Sequence, residues 1–341
     1  MFLLSKRDTN ILKGVALLLL LLHHCFYTGA GFDDVVLHGH PLVKNIGVLG
    51  KLCVAIFVFL SGYGLMATSL RQGRLGSLWM FYRRRFAKLM VNYWLIWLLF
   101  VPVGIFVFNR TFPIVYGDGY IYKALWDFLG LHLAMTGSYW GYNPTWWFYS
   151  CIIMLYLLFP LVWCLRSLWP ALIVLAFMFP TFASYVPIVA RSGCCSYFMS
   201  FVCGAVMAYV GADIAMGGVK TRKILLLGML LLFACLYRFV IDSLVWDAAI
   251  VVLVVMLYQL ISLPSWLERA LQFLGVHSYN IFLFHTFIFA LYFHDFIFWS
   301  RNPILIYTTL LLVCIPVSMG IEWLKSAVHI NKLQEVLAGK K

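Results

Sequence analysis

The sequence predicts an all-α fold, a polytopic membrane bundle of about ten transmembrane helices with both termini in the cytoplasm. Composition is the first reason. The chain is 64% hydrophobic and only 11% charged, with a mean hydropathy of +0.95, more apolar surface than a soluble domain of 341 residues needs. The second reason is spacing. Apolar windows long enough to cross about 30 Å of hydrocarbon fall near 11–29, 46–68, 89–108, 145–165, 169–188, 195–214, 223–241, 246–263, 273–293 and 303–325. Charge is the third. With the N-terminus inside, eighteen of the 25 basic residues face the cytoplasm, and only Lys44, Lys51, Arg110, Lys123, Arg191, Arg238 and Arg301 fall outside. An odd number of spans would scramble this bias. The net charge of +13 therefore reads as topology and contact with membrane lipids, and no nucleic-acid partner is expected.

The first window begins with Lys6, Arg7 and Lys13 ahead of Leu17–Leu22, superficially like a signal peptide. No small-residue cleavage site follows, so it reads as a retained span. The second ends Phe57-Val58-Phe59-Leu60-Ser61-Gly62-Tyr63-Gly64, where glycines permit close helix approach and a serine can bond a ligand or a carbonyl. Between the second and third spans stand Arg71, Arg74, Arg83, Arg84, Arg85 and Lys88. Residues 109–144 are rich in Gly, Tyr and Trp, with Asp118, Lys123, Asp127 and His132, and an interfacial helix is expected around 121–135. The fourth span opens Pro144-Thr145-Trp146-Trp147-Phe148, and an interfacial aromatic belt explains one tryptophan better than two. No repeat, linker or appended soluble domain is visible, so 1–341 reads as a single membrane-embedded domain in which any chemistry must occur.

The nine cysteines form no close-spaced ligand pairs, and most lie in apolar runs where they act as small hydrophobes. No metal is expected. The polar groups inside the spans are more informative. Lys13 precedes His24 by eleven positions; steps of about 100° return both to one helix face, about 16 Å apart along the axis. His24 then lies near the midplane, where a titratable group marks a functional site. His285, about twelve residues into the ninth span, reaches nearly the same depth, and two such histidines favour a shared polar cavity. His23 points about 100° away and reads as a packing residue. Arg85 and Lys88 are three apart at the start of the third span and can point the same way. Such a pair at the cytosolic mouth suits a polyanion such as a nucleotide or coenzyme A.

Five motifs in order carry a resemblance. They are Lys13 with His24; Phe57 through Gly62; Arg85-Phe-Ala-Lys88 ahead of Tyr93-Trp94; Trp147-Phe148 with Tyr156-Leu157-Leu158-Phe159-Pro160; and Gly275, Ser278, Tyr279 with His285. Together they resemble the acyltransferase 3 family of multi-spanning membrane acyltransferases, many of which O-acetylate polysaccharides or lipid-linked glycans. The sequence departs from that pattern at Lys88, where arginine is usual, at Val58, and at Ile152-Ile153, where many relatives carry a glutamate.

The resemblance implies an enzyme that moves an acyl group, acetyl by default, from acyl-coenzyme A to a glycan hydroxyl. It also implies a multi-pass protein of a cytoplasmic (inner) membrane, of bacterial type, working alone, as a homo-oligomer or beside glycan-assembly proteins. Acyl transfer needs a general base, charge stabilisation and exclusion of water. His24 is the implied base or transient acyl carrier, with Lys13 and His285 as catalytic partners. Arg84, Arg85, Lys88 and Ser61 would hold the donor. Trp147, Tyr156, Tyr279 and Asp127 would face substrate, with Asp127 a candidate to orient the imidazole from above. Asp33, Asp34, Asp118, Asp242, Asp247 and Asp295 also fall in segments assigned outside. The alternative is a transporter of a glycolipid or small anion using the histidines as a proton relay, though no duplicated halves are visible.

Overall fold

A computed structural model describes residues 4–211, 220–237 and 244–339. Arg238, Asp242, Lys340 and Lys341, and the window edges at 212–214 and 238–241, lie outside the described residues. The long helices are α1 (Lys6–Phe26), α2 (Leu52–Arg71), α3 (Leu78–Phe106), α4 (Trp147–Cys164), α5 (Trp169–Ala183), α6 (Cys194–Val210), α7 (Lys220–Tyr237), α8 (Leu244–Leu260), α9 (Ser265–Thr286) and α10 (Pro303–Ala327). A shorter α11 (Ile330–Leu337) follows. Among the described residues seven segments are long and apolar enough to span a membrane, and the other three of the ten windows contain the shorter apolar helices Cys194–Val210, Leu227–Tyr237 and Trp246–Leu260. At 17 residues, α6 rises only about 25 Å, short of the roughly 30 Å of hydrocarbon in a typical bilayer.

α1 and α9 run side by side in one register. Ser5 and Asp8 form a capping box that starts α1, and Arg7 pairs with Glu268, 261 positions later. Seven residues deeper, a Cβ on Gly14 would strike the Leu271 carbonyl, and one on Gly275 would strike the Asn10 carbonyl. These reciprocal four-residue offsets are those of two parallel helices in backbone contact, which only glycine permits. Gly14 and Gly275 are again 261 apart, and so are His24 and His285. Each histidine stands ten residues, about 15 Å, beyond its glycine. The close approach therefore sets the level of both rings.

Gly62 on α2 and Gly204 on α6 make the same exchange with the carbonyls of Phe201 and Phe59, which explains Gly62 as packing. On its other flank α9 is locked to α10 by a buried polar chain. His277 Nδ1 meets Ser318 Oγ at 2.9 Å, Asn280 Nδ2 donates to Glu322 Oε1 at 2.7 Å, and Lys325 Nζ donates to Asn280 Oδ1 at 2.7 Å. Such bonds hold helices together where apolar contact with a neighbour differs little from contact with lipid.

The single helix expected near 121–135 is two, Tyr120–Phe128 and His132–Thr136, separated by a turn in which Gly130 takes φ +72°. α3 holds this cap through Tyr93 Oη to the Asp127 carbonyl (2.5 Å) and Trp94 Nε1 to the Phe128 carbonyl (2.9 Å).

Candidate active site

The structure brings His24 and His285 together, their ring centroids 4.9 Å apart. Phe289 borders both, at 5.9 Å and 5.8 Å, and Phe282 lies 6.4 Å from His285. His285 is fully buried. Its Nδ1 lies 2.9 Å and 3.0 Å from the carbonyls of Ile281 and Phe282. Carbonyls only accept, so Nδ1 carries the proton and Nε2 presents a lone pair. That Nε2 is buried without a hydrogen-bond partner among the described residues. His24 is half-buried, and no described side chain hydrogen-bonds it. An oriented acceptor thus stands beside a partly accessible imidazole. His23 instead meets the Gly47 carbonyl at 2.9 Å and stacks on Tyr27, a packing role as expected.

Directly after His285 the helix widens into a π turn over Phe287–Tyr292, a feature common at functional sites. The Leu283 carbonyl is taken by two side chains from the start of the fourth span, Trp146 Nε1 at 2.9 Å and Asn143 Nδ2 at 3.2 Å. Thr145 Oγ1 and Thr286 Oγ1 meet at 3.2 Å. Sequence reasoning missed this clamp. Its signal was the Asn143-Pro144 helix start, where Asn143 caps Thr145 at 3.0 Å.

Of the tryptophan pair, Trp146 reaches α9, whereas Trp147 stacks on Tyr197 (5.9 Å) and packs under Gly193. Trp147 is therefore not gathered with the histidines. Tyr279 donates to the Leu89 carbonyl (2.8 Å) and accepts from Tyr149 Oη (2.6 Å), so it braces α9 against α3 and α4.

Asp127 does not orient His24, which corrects that expectation. One carboxylate oxygen accepts from Tyr116 Oη (2.5 Å) and the Tyr142 amide (2.7 Å), and the other faces Tyr93 Oη at 3.4 Å. These bonds point the carboxylate into the cap. Burial pushes its carboxyl above the usual range, against the pull of neighbouring His132 and of the three donors. The same burial, with Asp127 beside it, raises the Tyr116 hydroxyl.

The cationic residues line a cavity of about 810 Å³ at the α2–α3 turn, including Arg74, Arg84, Arg85 and Lys88. Arg85 is half-buried over the Phe81 ring, 5.8 Å from its centroid, and within electrostatic reach of Tyr156. Tyr156 in turn lies beside Ser61, whose Oγ is spent on the Phe57 carbonyl at 2.8 Å. Lys88 is near enough to Lys13, on the α1 face that carries His24, for their charges to repel. Neither histidine lines this cavity. α11 closes one side with Gln334 and Glu335. Arg83 donates to the carbonyls of Leu337 (2.7 Å) and Val336 (3.1 Å), and Gln334 to that of Lys88 (3.1 Å). Sequence reading did not find this wall. Among the described residues no cluster of three or more His, Cys, Asp or Glu is gathered to hold a metal.

An acyltransferase, MdmB of Streptomyces mycarofaciens, is 30% identical over 166 residues, covering 42% of this chain and 40% of that protein. The chain thus matches well under half the length of that relative. No solved structure is significantly similar. The family model described as an acyltransferase domain, Acyl_transf_3, matches residues 7–323, from the Arg7 pair at the start of α1 to the last turns of α10, and the chain belongs to that acyltransferase family.

Proposed function

We propose that this protein carries an acyl group, acetyl being the smallest candidate, from cytosolic acyl-coenzyme A to a hydroxyl of a lipid-linked or cell-surface glycan. Its place would be a bacterial cytoplasmic membrane. The observation that carries the reading is the His24–His285 ring pair, in which His285 holds its Nδ1 proton on backbone carbonyls and keeps a buried Nε2 with no hydrogen-bond partner among the described residues.

Coenzyme A brings several phosphate charges, and the cavity of Arg74, Arg84, Arg85 and Lys88 supplies guanidinium forks and an ammonium for them. The donor's thioester arm then passes Lys88 and Lys13 toward His24. The acceptor hydroxyl approaches His24 from the opposite side of the bundle. His24 takes the hydroxyl proton as the oxygen attacks the thioester carbon. The carbon–sulfur bond breaks, the ester forms, and the proton passes to the departing thiolate. His285 acts through His24, its Nε2 accepting the imidazole N–H and steadying the imidazolium that forms. The aromatic side chains around both rings exclude water, which would otherwise hydrolyse the thioester.

The test is mass spectrometry of surface glycans from cells making the parent protein or His24→Ala at matched membrane levels. The expected result is an ester-sized mass increment that disappears with His24→Ala. Glycans unchanged by the protein or by the substitution overturn the reading. A proton-relay transporter, by contrast, would not bind acetyl-coenzyme A.

A further inference from the structure

A second cavity of about 530 Å³ adjoins the first at the turn between α2 and α3. The two share the wall Arg74-Leu75-Gly76-Ser77, and the second adds Trp163 and Arg166 from the end of α4. We propose that this second cavity is the subsite for the 3′-phosphorylated nucleoside end of the donor, with the 3′-phosphate on Arg166 and Arg74. The proposal rests on the reading of the donor as a coenzyme A thioester.

Three observations support it. Arg166 is already oriented: Nη1 donates to the Trp163 carbonyl at 2.7 Å, and the guanidinium lies 4.0 Å above the Trp163 ring. One of five donors is spent, and four are left for a ligand on a preformed, stacked plane. Arg74 stands in the shared wall and has no hydrogen-bond or ion-pair partner among the described residues. The wall also ends at Ser77, the N-cap of the 29-residue α3, whose side chain makes no capping bond, so the positive helix end adds to both cavities.

Direction follows from the other cations. Lys88 lines the first cavity and not the second; it is near enough to Lys13 for their charges to repel, and Lys13 shares its helix face with His24, where the thioester must go. The diphosphate then falls on Arg84 and Arg85. The ribose, its 3′-phosphate and the adenine must lie on the side away from Lys88, which is where Arg166 and Trp163 stand. No carboxylate lines the second cavity.

Calorimetric titration of the full-length protein in detergent micelles tests this, using coenzyme A and 3′-dephospho-coenzyme A. Losing one charge-assisted contact weakens binding by about tenfold or more. The parent is expected to bind coenzyme A more tightly by that factor. Arg166→Ala is expected to weaken coenzyme A to the level of the dephospho compound, leave the latter unchanged, and melt at the parent's temperature. Arg166→Lys is expected to recover part of the difference. Equal affinities in the parent, or an equal loss for both compounds in Arg166→Ala, overturn the subsite while leaving the donor reading intact. Binding of neither compound by the parent overturns the donor reading and the subsite with it.

Discussion

Gly275→Ala is the most direct perturbation of the site, although it lies about 15 Å below it along α9. The new methyl has no room, because the Asn10 carbonyl of α1 occupies its place and is backbone. Neither helix can yield by a rotamer change, so α1 and α9 must part by roughly 1 Å, at an overpacking cost of about 1–3 kcal/mol. The 261-residue register that places His24 beside His285 would slip with them, and a misplacement of about 1 Å costs on the order of 10²-fold in rate. The basic cavity is built on α2, α3 and α11 and should be untouched. The expected outcome is therefore a hundredfold loss in the pulse-labelled rate of glycan ester formation per membrane protein, with coenzyme A affinity unchanged. Gly64→Ala is the control, since nothing lies within 4 Å of its added Cβ. A Gly275→Ala protein that labels glycans within twofold of the parent would refute the reasoning that the glycine contact sets the histidine pair.

His285→Asn removes the oriented Nε2 while keeping a polar side chain, and should lower the labelling rate about 10²- to 10⁴-fold with donor binding intact. Arg83→Ala frees the last carbonyls of α11 from α3; with one wall of the cavity loosened, coenzyme A affinity should fall several-fold, by roughly 1 kcal/mol, in the same calorimetric titration. Trp146→Phe removes one of two donors to the Leu283 carbonyl and should cost about 1 kcal/mol, read as a lowered melting temperature. The Asp127 carboxyl is raised in the folded protein, so it contributes stability at low pH that is lost as pH rises from about 4 through its folded value. Asp127→Asn cannot ionise and should flatten that stretch of the melting-temperature profile.

The sequence made the spans legible because hydrocarbon thickness, helix rise and basic loops are strong, local signals. The equal depth of His24 and His285 was readable by counting residues from the cytosolic end of each span. Their contact was not, because it depends on Gly14 meeting Leu271 across 257 positions, and a glycine's partner leaves no mark on the chain around it. Trp146 and Trp147 show the same limit. Both fit an interfacial belt, and only the helix start fixed by Asn143 decides which indole turns toward α9. Asp127 misled for a related reason. A carboxylate near an expected site has no visible partners in sequence, and the hydroxyls of Tyr93 and Tyr116 with the Tyr142 amide claim it in the fold.

On the proposed reading, the arrangement lets charge and catalysis coexist in a bilayer. The cations that suit a polyphosphate stay at the aqueous edge, in a cavity lined by Arg84 and Lys88, both exposed. The histidines sit deeper, among phenylalanines, and form no ion pair. Lys13 is half-buried between the two layers, held on the same helix face as His24 and repelled by Lys88. A donor phosphate placed between those two ammonium groups would relieve their repulsion. Binding of the donor would then draw together the mouth and the α1 face, so occupancy of the basic cavity would itself help align the thioester with His24. Removing that repulsion by Lys13→Met should accordingly weaken donor binding less than it slows transfer, which separates an aligning lysine from one that only holds phosphate.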